Sequence, residues 1–187
     1  MPNKLVILDR DGVINKDSED YIKSAAEWEP IAGSLEAISR LNGAGYKVVI
    51  ASNQSGLGRG YFTIDDLNAM HAKLRQLLAE KGGLIDAIFI CPHKPEDNCH
   101  CRKPSAGLFE EIKRRYNIDR SATTYAVGDS LRDLQAASAA GFKPWLVLTG
   151  NGQKTQQDPA FDTDTPVSED LAAMVNRFLS EVTPAAM

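Results

Sequence analysis

The sequence predicts an α/β fold, a doubly wound and mainly parallel sheet with helices on both faces. Three observations predict it: apolar runs of strand length, amphipathic helical stretches alternating with them, and glycines that close the helices. The first run, Leu5-Val6-Ile7-Leu8, ends at Asp9 and has the continuous apolar character of a parallel strand covered on both sides. Comparable runs lie at Lys47 to Ser52, Ala87 to Cys91 and Thr124 to Gly128, and Trp145 to Leu148 supplies a fifth. Between them, Ser34 to Leu41 reads as a helix stopped by Gly43 and Gly45. Thr63 opens the next, with Asp66 three residues on and Leu67, Met70, Leu74, Leu77 and Leu78 on one stripe before Gly82-Gly83. Ser105 to Tyr116 and Leu131 to Ala140 close near Asn117 and at Gly141. Gln153 to Pro166 reads as an irregular polar excursion before a last helix from about Ser168.

The 187 residues suit one domain spanning 1–187, and 43% apolar with 25% charged residues is globular composition. No apolar run is long enough to span a membrane, and Met1-Pro2-Asn3-Lys4 leads into a strand without a signal-type segment, so a cytoplasmic location is expected. A net charge of −4 supplies no basic field, which argues against nucleic-acid and membrane partners. The three cysteines, Cys91, Cys99 and Cys101, are too clustered for a disulfide framework and point to metal.

The sharpest chemical signal is Asp9-Arg10-Asp11-Gly12-Val13 directly after the first strand. Two acids at i and i+2, with glycine releasing the backbone, can turn toward one site; a plain strand-ending turn uses the same residues. Ser52-Asn53 ends the second strand, Arg102-Lys103-Pro104 precedes a helix, and Val127-Gly128-Asp129-Ser130-Leu131-Arg132-Asp133 ends the fourth strand in two more acids. All four stand at strand-to-helix junctions and would meet at the carboxyl edge of the sheet, where such folds bind ligands.

This ordered set resembles the haloacid dehalogenase superfamily over about Leu5 to Leu148: Asp-x-Asp-Gly-Val, then Ser, then Lys, then Gly-Asp with a further acid. The resemblance implies phosphate transfer through an aspartyl phosphate on Asp9. Asp11 serves as general acid and then general base, Ser52 and the Asn53 backbone hold the phosphoryl oxygens, and Lys103 offsets their charge. Phosphate monoesters hydrolyse so slowly that the site must supply on the order of 20 kcal/mol or more. Mg²⁺ prefers oxygen, and Asp9, Asp129 and the backbone carbonyl of Asp11 would hold it, with Asp133 orienting the metal site from behind.

Cys91-x-His93 and Cys99-x-Cys101, joined by a short turn with prolines, make a closed set of three thiolates and an imidazole, the structural pattern for Zn²⁺. Three free thiols, or a sterically poor Cys99–Cys101 disulfide, are the alternatives. His100 is left outside the set, and His71 reads as a structural histidine near its helix's apolar stripe. Gly56-Leu57-Gly58-Arg59-Gly60 is no dinucleotide fingerprint, since it follows the second strand and Tyr61 stands at the third glycine's place. It reads as a loop carrying Arg59, either toward a second anionic group on the substrate or into solvent.

The spacing of Asp9, Ser52 and Lys103 leaves no room for a separate cap, so specificity falls to the loops Asn15 to Gly33, Ser55 to Phe62 and Cys91 to Pro104. Capless, zinc-bearing members resemble two branches: heptose-1,7-bisphosphate 7-phosphatases of lipopolysaccharide and S-layer sugar biosynthesis, and histidinol-phosphate phosphatases. The stretch Asn53 to Thr63 looks more like the heptose branch, in which Arg102 and Lys103 also grip the substrate, although the loop from His93 to Cys99 is shorter than that branch leads one to expect. The expected partner is a small phosphorylated sugar and the expected state a monomer. A non-catalytic, zinc-stabilised interaction module is the competing class.

Overall fold

The computed structural model describes residues 4–119 and 123–182. Its sheet has six strands, all parallel: β1 (Leu5–Leu8), β2 (Lys47–Asn53), β3 (Ala87–Cys91), β4 (Tyr125–Gly128), β5 (Lys143–Val147) and β6 (Val167–Ser168), in the order β3-β2-β1-β4-β5-β6. Among the described residues seven α-helices accompany them: α1 (Ser34–Gly43), α2 (Ser55–Arg59), α3 (Ile64–Glu80), α4 (Gly107–Arg115), α5 (Leu131–Ala139), α6 (Gly152–Gln156) and α7 (Leu171–Val182).

Alternation along the strands divides the core in two. Val6, Leu8, Val48 and Ile50 face one side and pack with α1, α3 and α7. Leu5, Ile7, Val49 and Ala51 face the other and pack with α4 and α5. Every residue of β1 is buried, which is why no polar alternation interrupts it. Burying one such Leu or Ile contributes about 1.5–3 kcal/mol before entropy is counted. From β1 the chain winds outward to β2 and β3, then returns to lay β4 on the opposite side of β1. That reversal opens a crevice at the carboxyl ends of β1 and β4.

The helix starts follow their sequence signals. Thr63 caps α3 reciprocally: its hydroxyl accepts from Asp66 N at 3.2 Å while its own N–H donates to Asp66 Oδ2 at 2.8 Å. At α5 Ser130 N and its hydroxyl donate to Asp133 Oδ2, the former at 3.0 Å, while Asp133 N donates to the Ser130 carbonyl at 3.0 Å.

Several expectations are corrected. The helix from Ser34 runs on through Gly43, because only Gly45 adopts a left-handed backbone (φ +83°). The Ser105 helix begins at Gly107. The segment 153–166 is not wholly irregular: α6 occupies its start, and it leads into β6, whose two residues are too short to leave a pattern. Gly56 to Gly60 is not an open loop, since α2 runs through it. Its glycines serve close packing: a β-carbon on Gly56 would fall 2.2 Å from the Phe62 ring, and one on Gly58 2.7 Å from the Pro92 carbonyl oxygen.

Candidate active site and metal cluster

Asp9 leaves β1 at the crevice, its backbone fixed by Asp9 N donating to the Val127 carbonyl at 2.9 Å. Gly12 then turns the chain with φ +82°. Asp9 Oδ1 accepts from Arg10 N at 2.8 Å and pairs with Lys103 Nζ at 3.0 Å, while Oδ2 accepts no hydrogen bond among the described residues. Lys103, 2% exposed, also pairs with Asp133 Oδ1 at 2.6 Å and donates to the Ala51 carbonyl at 2.8 Å. Burial opposes its charge, but Asp133 and Asp9 hold its pKa above the ordinary lysine value. Asp129 follows β4, where its Oδ2 accepts from Asn151 N at 2.8 Å and Asn151 Nδ2 at 3.2 Å.

Asp11 sits in a fan of donors. Arg10 Nε and Nη2 reach its Oδ1 at 3.1 and 2.9 Å and Nη2 reaches Oδ2 at 3.0 Å; Asn15 Nδ2 donates to Oδ1 at 2.9 Å and Gln54 Nε2 to Oδ2 at 2.8 Å. Burial alone would raise its pKa; the Arg10 charge and these hydrogen bonds hold it below the usual carboxylate value. Gln54 Nε2 also donates to Ser52 Oγ at 2.8 Å, leaving the Ser52 hydroxyl proton available to another acceptor. Arg10, Asn15, Gln54 and Asn151 escaped the sequence reading. Their only local signal is adjacency to the motifs, as polar residues flanking apolar runs.

Asp9, Arg10, Asp11, Gln54 and Lys103 line a polar cleft of about 210 Å³ that also takes in Ser52, Asn53, Arg102, Asp17, Tyr21 and Arg132. Asn53 contributes its side chain in a way not foreseen: Nδ2 donates to the Lys103 carbonyl at 3.0 Å and Oδ1 accepts from Lys103 N at 3.1 Å, clamping the loop before α4 to the end of β2. Of the three loops expected to shape the cleft, all contribute. Arg59 does not: it is absent from the lining and pairs with Glu96 at 3.3 Å, because α2 carries it against the cysteine loop.

Cys91, His93, Cys99 and Cys101 converge, with sulfur–sulfur separations of 3.5, 3.2 and 3.5 Å and His93 Nδ1 at 3.7 and 3.3 Å from Cys91 and Cys101 Sγ. A disulfide needs about 2.05 Å, so the cysteines are free. In a tetrahedral zinc shell the sulfur–sulfur edges are about 3.8 Å and the sulfur–nitrogen edges about 3.6 Å; the sulfurs here stand a few tenths closer and the two His93 distances fall on either side of that value. Burial pushes the Cys91 thiol up to about 12, so its thiolate requires a neighbouring cation. His100 lies outside the cluster, as expected.

The acids fit a cation as well. Carboxylate oxygens of Asp9, Asp129 and Asp133 lie within 4.8 Å of one another and all three residues are buried. Burial, then the charges of Asp133 and Asp9, pushes Asp129 up to about 8; burial, with Asp133 and Asp11 opposing the pull of Lys103, pushes Asp9 up to about 7. Because both are raised, the metal-free folded state binds more protons than the unfolded chain from about pH 4 to 7–8, so stability falls as pH rises through that window. Asp11 and Asp133 are lowered and lose their contribution only below it. Thermal unfolding against pH is therefore expected to show a downward slope of at most about 1.4 kcal/mol per pH unit for each raised group. A divalent cation should flatten it by stabilising the protein more at pH 8 than at pH 5; a slope unchanged by the cation would separate these acids from metal binding.

A family model described as HAD-hydrolase-like matches residues 100–174. The chain is 54% identical, over 95% of its length and 99% of the relative's, to the D-glycero-beta-D-manno-heptose-1,7-bisphosphate 7-phosphatase of Bordetella bronchiseptica. It is 50% identical to the enzyme of that name from Pseudomonas aeruginosa, over 96% and 99% of the two chains. The crystal structure of the B. bronchiseptica D,D-heptose 1,7-bisphosphate phosphatase, complexed with magnesium and phosphate, superimposes with a TM-score of 0.93 at 55% identity, covering 96% of this chain and 99% of that one. The strand-end acids, the buried lysine and these relatives lead to one conclusion: the chain belongs to the heptose-1,7-bisphosphate 7-phosphatase family of haloacid dehalogenase-like hydrolases.

Proposed function

We propose that this protein removes the 7-phosphate of D-glycero-beta-D-manno-heptose 1,7-bisphosphate through a covalent phosphate on Asp9. The observation that carries the reading is the meeting, from four separate stretches of chain, of Asp9, Asp11, Ser52 and Lys103 around one cleft, with a carboxylate oxygen of Asp129 within 4.8 Å of one of Asp9. Asp9 Oδ2 attacks phosphorus, and the bond from phosphorus to the sugar oxygen breaks as Asp11 passes that oxygen a proton. A dianionic phosphoryl group entering beside Asp11 raises its proton affinity and so supports the acid step. Water then attacks phosphorus as Asp11 takes up its proton, and the bond from phosphorus to Asp9 Oδ2 breaks, restoring the carboxylate and releasing phosphate. Ser52 and the Asn53 backbone donate to the phosphoryl oxygens and Lys103 neutralises their charge.

Mg²⁺ would be held by Asp9, Asp129 and the backbone carbonyl of Asp11, with Asp133 setting Lys103 and the cap of α5. Bound there, the ion supplies charge neutralisation that lets a carboxylate meet an anionic phosphate. Zn²⁺ on Cys91, His93, Cys99 and Cys101 would keep the loop rigid ahead of Arg102 and Lys103. Arg102 lines the cleft beside Lys103, which supports its contact with a second anionic group. The relatives' names favour the heptose substrate over histidinol phosphate, and the β anomer within it.

The test is phosphate release, with magnesium, from both anomers of the heptose bisphosphate, histidinol phosphate and common sugar monophosphates. The β anomer should lead histidinol phosphate by at least about 100-fold in kcat/KM. Preference for histidinol phosphate would reassign the substrate, and no turnover of any ester would favour the non-catalytic module.

A further inference from the structure

Arg10 is 1% exposed, and its guanidinium is held on every side. Nε and Nη2 bind the Asp11 carboxylate, Nη2 also reaches Gln54 Oε1 at 3.3 Å, and Nη1 lies 3.4 Å from Nε2 of His71, which α3 brings in at 7% exposure. Arginine has donors only, so His71 Nε2 accepts and the imidazole is neutral with its proton on Nδ1. Burial and the Arg10 and Arg75 charges, pushing His71 down to about 4, agree with that form.

We propose that His71, acting through Arg10, is a positioning residue for Asp11. The reasoning is geometric. The fork of Arg10 is planar, so anchoring Nη1 on one side sets the angle at which Nε and Nη2 meet Asp11 on the other. Without His71, Nη1 becomes a buried donor with no acceptor among the described residues; Arg10 turns to find one and carries the carboxylate with it. The inference rests on the reading of Asp11 as the group that moves the proton. The competing view is that His71 and Arg10 only fill the core.

The two differ in how they treat the leaving group. A sugar alkoxide must be protonated as it departs, whereas p-nitrophenolate leaves without help, and kcat/KM reports the steps up to formation of the aspartyl phosphate. His71→Ala is expected to lower kcat/KM for the heptose bisphosphate by roughly 10- to 100-fold and for p-nitrophenyl phosphate by less than about threefold. His71→Leu, which fills more of the space but cannot accept a hydrogen bond, should behave likewise, so the test survives if the alanine variant does not fold. His71→Gln, whose amide oxygen can accept from Arg10, should recover most of the activity toward the sugar ester. Equal losses with both esters would overturn the proposal, as would full activity of His71→Leu toward the bisphosphate. Asp11→Asn serves as the reference: if it shows no discrimination between the esters, the acid role itself fails, and if it discriminates while the His71 variants do not, only the positioning role fails.

Discussion

Asp9→Asn is expected to lower kcat by at least about 10⁴-fold and leave the fold intact. The side chains are isosteric, and the amide oxygen can still accept from Arg10 N and Lys103 Nζ, the two donors now on Oδ1. What disappears is the proposed nucleophile. Because burial pushes Asp9 up to about 7, its ionised form costs stability at neutral pH, and the neutral amide removes that cost. The melting temperature should therefore hold or rise slightly. Lys103 keeps Asp133 as a partner at 2.6 Å, so no buried charge is stranded. Acid-quenched wild-type protein should carry covalent phosphate during turnover and the variant none. Activity of the variant within tenfold of wild type would dispose of the covalent route.

Cys91→Ser should produce the second-largest effect. Elemental analysis of the native protein is expected to find one zinc per chain, lost in the variant. Cys91 is the last residue of β3, and the loop beyond it is stitched to the catalytic edge. Gln54 N donates to the Cys91 carbonyl at 2.7 Å, Gly58 N to the Pro92 carbonyl at 3.0 Å, and Asn53 clamps Lys103 by both main-chain groups. Loosening the loop thus frees the lysine that stands between Asp9 and Asp133. We expect a loss of roughly 10 °C in melting temperature and about 100-fold in kcat/KM. A zinc-free variant with wild-type kcat/KM would show that the loop does not govern Lys103.

The parts legible in the sequence are those whose physics is local. Leu5 to Leu8 ends in Asp9, and an all-apolar run of that length has few other uses than a covered parallel strand. Cys91, His93, Cys99 and Cys101 carry their geometry in their spacing. Thr63 with Asp66 is a cap because three residues carry the chain nearly one helical turn, back beside its start. The network around Asp11 was not legible, since it joins Arg10, Asn15, Gln54 and His71 across elements that meet only after folding. His71 reads as a structural histidine, and it is buried and hydrogen-bonded as such; an apolar stripe explains that burial without saying what the imidazole nitrogen faces. The direction of Arg59 is open in the sequence because a glycine-rich stretch suggests reach without saying where, whereas here glycine allows Phe62 and Pro92 to press against α2.

Gly12 and Gly150 meet behind Asp129, and each excludes a side chain for the same reason. A β-carbon on either would fall 2.2 Å from Asp129 Oδ2, and both residues hold positive φ, +82° and +57°. In a saturation-mutagenesis survey scored by activity, these two positions should be as intolerant as the aspartates, although neither has any functional group to lose. An intolerance map alone would enlarge the catalytic set by two residues that only keep space open, whereas stability measurements on the same library would separate them, because a side chain at either glycine strains the backbone while Asp9→Asn leaves the melting temperature unchanged or higher. Their signature would be weakened divalent-cation binding in variants that still fold.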